Sequence, residues 1–520
     1  MAFGMKPAYP WGNHLYTGLK SCQRRFPKLI ALLTMFWIGF TPHPAEAFGL
    51  TDVEKEAAQL AAKPYQRVDR VPDFLAQLDF DQWSRITFKP DQSPWPQSNK
   101  FLFYPSHPGY LFVDPVRINL IDAQGVHEFP FKPSLFDYKG LEVANRVMEG
   151  LGFAGFKLLY PLNEPARHDE FITYQGASYF RAVGRKQWMG LSARGVAINT
   201  GINGGRIEEF PYFRTFWLER PASDANSIRF YALLDGESLT AAYEFAVYPG
   251  EQTLVNVKAT FFMRKKVQKL GLAPLTSMFI QGENSERKLK TDHPEEHDSD
   301  GLSINTAAGE WIWRPLQNPT EIKNYAFTVG TPKGFGLMQR DRDPDHYQSL
   351  NLFYQLRPSA WIVPEGNWGP GRVEVIEIPS NTETMDNMVA FWTPENQPAP
   401  GQPLHVAYRI YWQGDNFTRP DQGWVTSTLS GAGPEANTRQ YVIDFVNVPY
   451  DANAGDISAV VDVGQGGALL NRRVERNPNT QGWRLNFTLR KEPSAAVQLK
   501  AYLQQGNRPI TETWDYVAIP

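Results

Sequence analysis

Cysteine is nearly absent: Cys22 is the only one in 520 residues. One thiol cannot form an intramolecular disulfide or supply a multi-cysteine metal site. Long apolar runs are also missing. The best candidate, Leu29 to Phe40, falls short of the roughly 20 residues a membrane helix needs. It follows Lys6, Lys20, Arg24, Arg25 and Lys28 and precedes Ala45-Glu46-Ala47, a small-x-small site. Basic, apolar and small-residue regions in that order predict a secretory signal peptide over 1–47, cleaved after Ala47. The mature chain would then begin at Phe48, exported, soluble and free of cysteine. An uncleaved membrane anchor is the competing reading. Arg24-Arg25 leaves both general and twin-arginine export open.

An excess of positive charge is likewise missing. Of 52 basic and 55 acidic residues, five and one lie before Phe48, leaving 47 against 54 and a net charge of −7. Nucleic-acid binding needs a basic stripe, so no nucleic-acid partner is expected. There is no phosphate-binding loop, no dinucleotide glycine fingerprint and no G-x-S-x-G elbow. No fixed-period repeat is present, which disfavours propellers and solenoids.

Glycine and proline, 41 each, and 13% aromatics are abundant, whereas helical patterns are few. One helix is predicted from Thr51 to Ala62, with Thr51 and Glu54 as a capping box and Leu50, Val53, Ala57 and Leu60 on one face. A second is predicted from Asp73 to Trp83. The rest reads as β. Val255 to Phe261, Val406 to Trp412 and Leu485 to Leu489 alternate apolar and polar residues, the period of a half-buried strand. Asn203-Gly204, Asp235-Gly236 and Asp300-Gly301 supply turn pairs. Residues 394–403 carry four prolines and no apolar period. The chain is therefore expected to be mainly β: a large N-terminal β-sandwich domain at 48–396, a linker at 397–403, and an immunoglobulin-like β-sandwich at 404–520.

The densest ionisable cluster is His293-Pro294-Glu295-Glu296-His297-Asp298-Ser299-Asp300-Gly301. It contains H-x-x-E-H, but a zinc protease needs that pattern on a helix. Pro294 and Asp300-Gly301 favour a loop, either merely solvated or carrying an acid/base carboxylate at a cleft. Thr382-Glu383-Thr384-Met385-Asp386-Asn387 lies between two apolar stretches, Val373 to Ile378 and Met388 to Trp392. A carboxylate there is partly desolvated and suits a general acid, unless Asp386 and Asn387 only form a turn. Around these acids lie Trp311, Trp313, Arg314, Tyr354, Arg357, Trp361 and Trp368. Such rings can stack on sugar faces while the polar groups bind hydroxyls, or they can fill a β core. Asp341-Arg342-Asp343-Pro344-Asp345 lacks the glycine and distal glutamate of a helical calcium loop and reads as a solvated turn. No metal and no cofactor are expected.

Longer stretches carry a resemblance. They include LGFAGFKLLYPLN (151–163), GASYFRAVG (176–184), GLSARGVAI (190–198) and YALLDGESLTAAYEF (231–245). KLGLAPLTSMF (269–279), HDSDGLSI (297–304), GEWIWRPLQNP (309–319) and GFGLMQRDRD (334–343) follow, then RPSAWIVP (357–364), ETMDNMVAFW (383–392) and ETWDY (512–516). The chain resembles the osmoregulated periplasmic glucan biosynthesis proteins of Gram-negative bacteria, the G and D members, over nearly all of its mature length. The match is weakest from about 413 to 500.

The resemblance implies a periplasmic protein with a large β-sandwich and a smaller immunoglobulin-like domain, serving glucans with a β-1,2-linked backbone. Some members look like inverting β-1,2-glucan hydrolases and related ones like transglycosylases. The family's general acid falls on Asp386 and its general base on Asp298. The G-type pattern has Asn at the position of Asp300, which favours Asp298. Tyr354 matches a family tyrosine before Arg357-Pro358, and Glu383 is placed to tune Asp386 or bind substrate. Trp311, Trp313, Arg314, Arg357 and Trp361 complete the expected substrate-binding set. The competing class is a non-catalytic glucan-binding or scaffold protein assisting a membrane glucosyltransferase. Loops between Trp412 and Tyr441 fit neither member clearly, and a homodimer in which they reach a partner subunit stays open.

Overall fold

The computed structural model of the chain describes residues 48–202, 208–285, 289, 293–414 and 418–519. The expected signal peptide and the Asn203-Gly204 turn lie outside these residues. The described chain is mostly β, as expected.

Alternating strands account for its layers. Phe230, Ala232 and Leu234 of strand Ile228–Asp235 and Tyr243 and Phe245 of strand Leu239–Tyr248 turn one way into the main core. There they meet Phe156, Tyr174 and Phe180 of a second sheet, at ring-centroid distances of 5.6 Å for Phe156–Phe230 and 5.1 Å for Tyr174–Phe245. Edge-on pairs of this kind contribute about 0.5–1.5 kcal/mol each beyond burial. The alternate residues Tyr231, Leu233 and Ala242 face outward, where the helix Leu50–Ala61 covers them with Val53, Ala57 and Leu60. These strands are therefore buried on both faces and read as nearly continuous apolar runs. Phe48 lies against Trp217 and Tyr231, at 5.4 and 5.8 Å between ring centroids.

The helix keeps its predicted apolar face, but its cap differs. Gly49 is the N-cap, and Asp52 accepts from the Gly49 N–H at 3.0 Å in place of a Thr51–Glu54 box. The second predicted helix is two short ones, Asp73–Ala76 and Phe80–Ser84. Asp79 breaks it, because its side chain caps the second piece by accepting from the Gln82 N–H at 2.7 Å.

Two large sheets face each other, one of ten strands and one of fifteen. The longer one continues past the main core. Its strand Trp311–Pro315 pairs in parallel with Thr513–Ala518, at Ile312–Thr513 and Trp313–Trp514. From there Val497–Gln505 and Ile457–Val463 extend it. Against this far end packs a four-stranded sheet, Trp424–Ala432, Thr438–Val446, Gly482–Lys491 and Gly467–Asn477. A second core forms between them from Tyr441, Phe487, Trp514 and Tyr516. The strand after the proline-rich segment, expected to open the C-terminal domain, lies in the middle of the long sheet. Pro403–Gln413 pairs with Thr253–Met263 on one side and Ser359–Glu365 on the other. Its period-two pattern marks a strand but cannot say which core it faces.

Arg340 carries a buried charge beside the second core. Its guanidinium donates to both carboxylate oxygens of Glu512, at 2.6 and 3.1 Å, and lies 3.6 Å over the Trp313 ring. Both partners are almost fully buried. Arg340→Met should destabilise the protein by about 3–5 kcal/mol, because Glu512 is left buried without its counter-charge. The double variant Arg340→Met/Glu512→Leu should recover part of that loss. Urea unfolding would measure both; equal midpoints for wild type and Arg340→Met would refute this account of the pair.

Candidate active site

One backbone residue, Phe279, brings the two expected aspartates together. Asn387, directly after Asp386, accepts from the Phe279 N–H and donates to the Phe279 carbonyl, both at 2.9 Å. On its other side Phe279 pairs with His297, directly before Asp298, and the two rings stack at 5.3 Å. The Asp298 N–H donates to the Met278 carbonyl at 2.8 Å. The segments containing Asp298 and Asp386 are thus clamped to either side of residues 278–279. They lie where strands Leu270–Ser277 and Met388–Pro394 pair, Ser277 opposite Met388.

The two acids have different surroundings. Asp298 is 4% exposed and ion-paired with Arg357. Burial raises its pKa to about 6; the charge of Asp386 pushes the same way, and Arg357 and Arg181 oppose both. Asp386 is half-buried at the tip of its loop. The exposed Glu383 on that loop accepts a 2.5 Å hydrogen bond from the Tyr354 hydroxyl. Burial, with Glu383 adding to it, keeps that phenol protonated by raising its pKa. The Arg357 guanidinium packs 4.5 Å from the centre of the Tyr354 ring. Tyr354, Arg357 and Glu383 therefore link the Asp298 side of the site to the Asp386 loop.

Gln339 fixes the floor. Its amide N–H donates to the carbonyls of His297 and Tyr354, at 3.0 and 3.2 Å. Gly190 admits Arg357, since a Cβ there would come within 2.9 Å of the arginine's own Cβ. Asp300 does something else. One of its carboxylate oxygens accepts from the backbone N–H groups of Arg340 and Asp341, at 2.9 and 2.8 Å, so it shapes the turn. H-P-E-E-H is not helical, as Pro294 led us to expect, but Glu296–His297 is a short strand where a loop was expected.

The expected tryptophan wall requires correction. Trp313 and Trp361 are each 4% exposed and belong to the second core. Trp311 packs against them, 5.4 Å from Trp361. Arg314 is 1% exposed, ion-paired with Asp515 at 2.9 Å and stacked 3.6 Å from Tyr325. Two rings at i and i+2 share one face of a strand, and here that face is interior.

A different ring occupies an accessible position. Trp188 is 51% exposed and stacks at 4.8 Å on Phe353, whose backbone is left-handed at φ +49°. The Trp188 N–H donates to Leu356, in the turn that follows Tyr354. Tyr179 and Arg194 pair across neighbouring strands; Arg194 binds Glu208 at 2.7 Å and lies 4.7 Å from the Tyr179 ring. The charge of Asp386 reaches Tyr179. The sequence signal for Tyr179 and Arg194 was the pair of stretches 176–184 and 190–198, which stood out as matches without any role attached; Trp188 lies between them and was not singled out.

The Arg357–Asp298 pair gives a direct expectation. Arg357→Met removes a charge that lowers the Asp298 pKa, so the value should rise from about 6. Carboxyl 13C NMR of aspartate-labelled protein, assigned with Asp298→Asn, measures it. An unmoved midpoint would show that the guanidinium does not set this acidity.

Comparison with known proteins extends these observations. Residues 48–518 match the family described as periplasmic glucan biosynthesis protein, MdoG. Glucans biosynthesis protein G of Ralstonia nicotianae is 44% identical over 494 residues, covering 92% of this chain and 97% of the relative. The protein of the same name from Sodalis glossinidius is 41% identical over 524 residues, covering 97% and 98%. That of Pectobacterium carotovorum is 40% identical, covering 95% and 97%. Among the described residues no helix is long and apolar enough to cross a membrane. With the family matched from the first described residue almost to the last, the chain belongs to the periplasmic glucan biosynthesis proteins of the MdoG type.

Proposed function

We propose that the protein acts in the periplasm on glucan with a β-1,2-linked backbone, by inverting acid–base chemistry, as an endo-glucanase or a transglycosylase. The observation that carries this reading is the pair Asp298 and Asp386, held on either side of residues 278–279 in unlike environments. Two carboxyl groups with different surroundings can divide the roles of acid and base; burial of Asp298 alone would suit an acid, and it is the Arg357 charge beside it that favours the ionised base.

In this mechanism Asp386 gives its proton to the glycosidic oxygen as the bond to the anomeric carbon breaks. Asp298, ionised beside Arg357, takes a proton from a water or sugar hydroxyl attacking the opposite face. The new C–O bond forms with inverted configuration. Water as the acceptor gives hydrolysis; a sugar hydroxyl gives transfer. Trp188 is the exposed ring best suited to stack on a glucose unit, while Tyr354 and Glu383 position the loop carrying the acid. The relatives' name speaks of synthesis, which favours transfer or non-catalytic support of a glucosyltransferase as the second reading.

Incubation of the mature protein with linear β-1,2-glucan, followed by analysis of product length and anomeric configuration, tests the proposal. Asp386→Asn and Asp298→Asn should each lower turnover by about 10²–10⁴-fold. Asp300→Asn should be milder, since an amide oxygen can still accept the two backbone N–H groups. Turnover should decline below pH about 6, where Asp298 gains a proton and stops acting as a base. Near-normal turnover by Asp386→Asn would sink the acid assignment. Glucan left unchanged in length and linkage by the wild type would support the non-catalytic reading instead.

The tryptophans give a separate test. Trp188→Ala should weaken glucan affinity at unchanged thermal stability. Trp361→Ala should lower stability by about 3–5 kcal/mol, as expected of a core tryptophan. Calorimetric titration and thermal unfolding distinguish the two, and loss of stability without loss of affinity in Trp188→Ala would reverse the assignment of that ring.

A further inference from the structure

Two segments left without a role by the sequence meet in the fold. From H-P-E-E-H comes Glu295; from the aspartate-rich stretch after strand Gly334–Met338 come Asp341 and His346. One ligand atom from each lies within 4.8 Å of the others. Asp341 and His346 already touch, Oδ2 to Nδ1 at 2.6 Å. The short helix Pro344–Tyr347, capped by Asp343, presents the imidazole. Glu295 is 7% exposed and is oriented from behind by His297, at 3.0 Å, which Gln339 holds in turn.

A second observation comes from the adjoining cavity. Glu283, Glu295, Asp300 and Asp341 all line it, and among the described residues no lysine or arginine does. Oδ1 of Asp300 is fully buried there with no hydrogen-bond donor. A buried carboxylate oxygen without a donor costs free energy, and a cation held among these neighbouring carboxylates would offset part of that cost by its charge.

We propose that Glu295, Asp341 and His346 form a binding site for one divalent metal ion of the zinc or manganese class. An imidazole nitrogen beside two carboxylates suits such ions. Calcium and magnesium instead favour all-oxygen shells of six or more ligands. The residues are distinct from Asp298 and Asp386, and the site stands whether or not the protein acts on glucan. The sequence alone gave no reason to expect it, because Glu295 lies more than 40 positions before Asp341 and His346 and no fixed spacing relates it to them.

The test uses the untagged mature protein, stripped with chelator and titrated by calorimetry with zinc and, separately, with manganese. One of the two should bind at one equivalent and raise the thermal midpoint. His346→Ala, at an exposed position, should fold normally and lose affinity at least about 10-fold, as should Asp341→Asn. His127→Ala, an exposed histidine elsewhere, should bind like wild type. Absence of saturable binding of either ion would overturn the proposal. So would His346→Ala and Asp341→Asn that bind as tightly as wild type.

Discussion

The long sheet is the constraint on which the rest depends. A strand has two faces, and a sheet of fifteen strands can serve different partners along its length. Near one end its inner face meets the ten-stranded sheet and its outer face meets a helix. Near the other it meets the four-stranded sheet. Two cores therefore share one hydrogen-bonded layer, and neither can shift without straining the ladder that joins them. The candidate site lies beside this layer, where strand Gly301–Asn305 begins just after Asp298.

That position explains the electrostatics of the site. The backbone at Asp298 is bonded to Met278, and its carboxylate is sunk among packed residues, so burial opposes its charge. Arg357 partly restores the charged form. Asp386 instead rides on a loop fixed at its stem by Asn387 and tethered by the Tyr354–Glu383 hydrogen bond. Rigid stems with a less buried tip suit a group that must meet a large, extended substrate, whereas a fixed buried group suits one that handles a small molecule such as water.

The strands and the main helix were legible because burial on one face leaves a period in the sequence. The apolar face Leu50, Val53, Ala57 and Leu60 packs as that period implies. Pairing partners were not legible. Val406 to Trp412 alternates clearly, yet nothing in its composition says that it joins Thr253–Met263 across some 150 residues. The tryptophans illustrate a different limit. Trp311 and Trp313 beside acids look alike whether they line a cleft or a core, and only the partner sheet decides. The aspartates came from resemblance. Their clamping through Asn387 and Phe279 rests on a side-chain amide bonding to backbone, which leaves no periodic trace.

The parallel pairing of Trp311–Pro315 with Thr513–Ala518 has a consequence for how the chain is made. Synthesis proceeds from the N-terminus, so Trp311–Pro315 exists long before its neighbour. Until then it is the edge of a sheet, with open N–H and C=O groups and apolar rings beside them. Some 200 residues must appear before this edge is closed. Contacts so distant in sequence form slowly and leave partly folded chains prone to associate. Chain truncations that remove Thr513–Ala518 should thus be felt at Trp311–Pro315 and its neighbour Gly301–Asn305, which follows the candidate residue Asp298, some 200 positions before the cut.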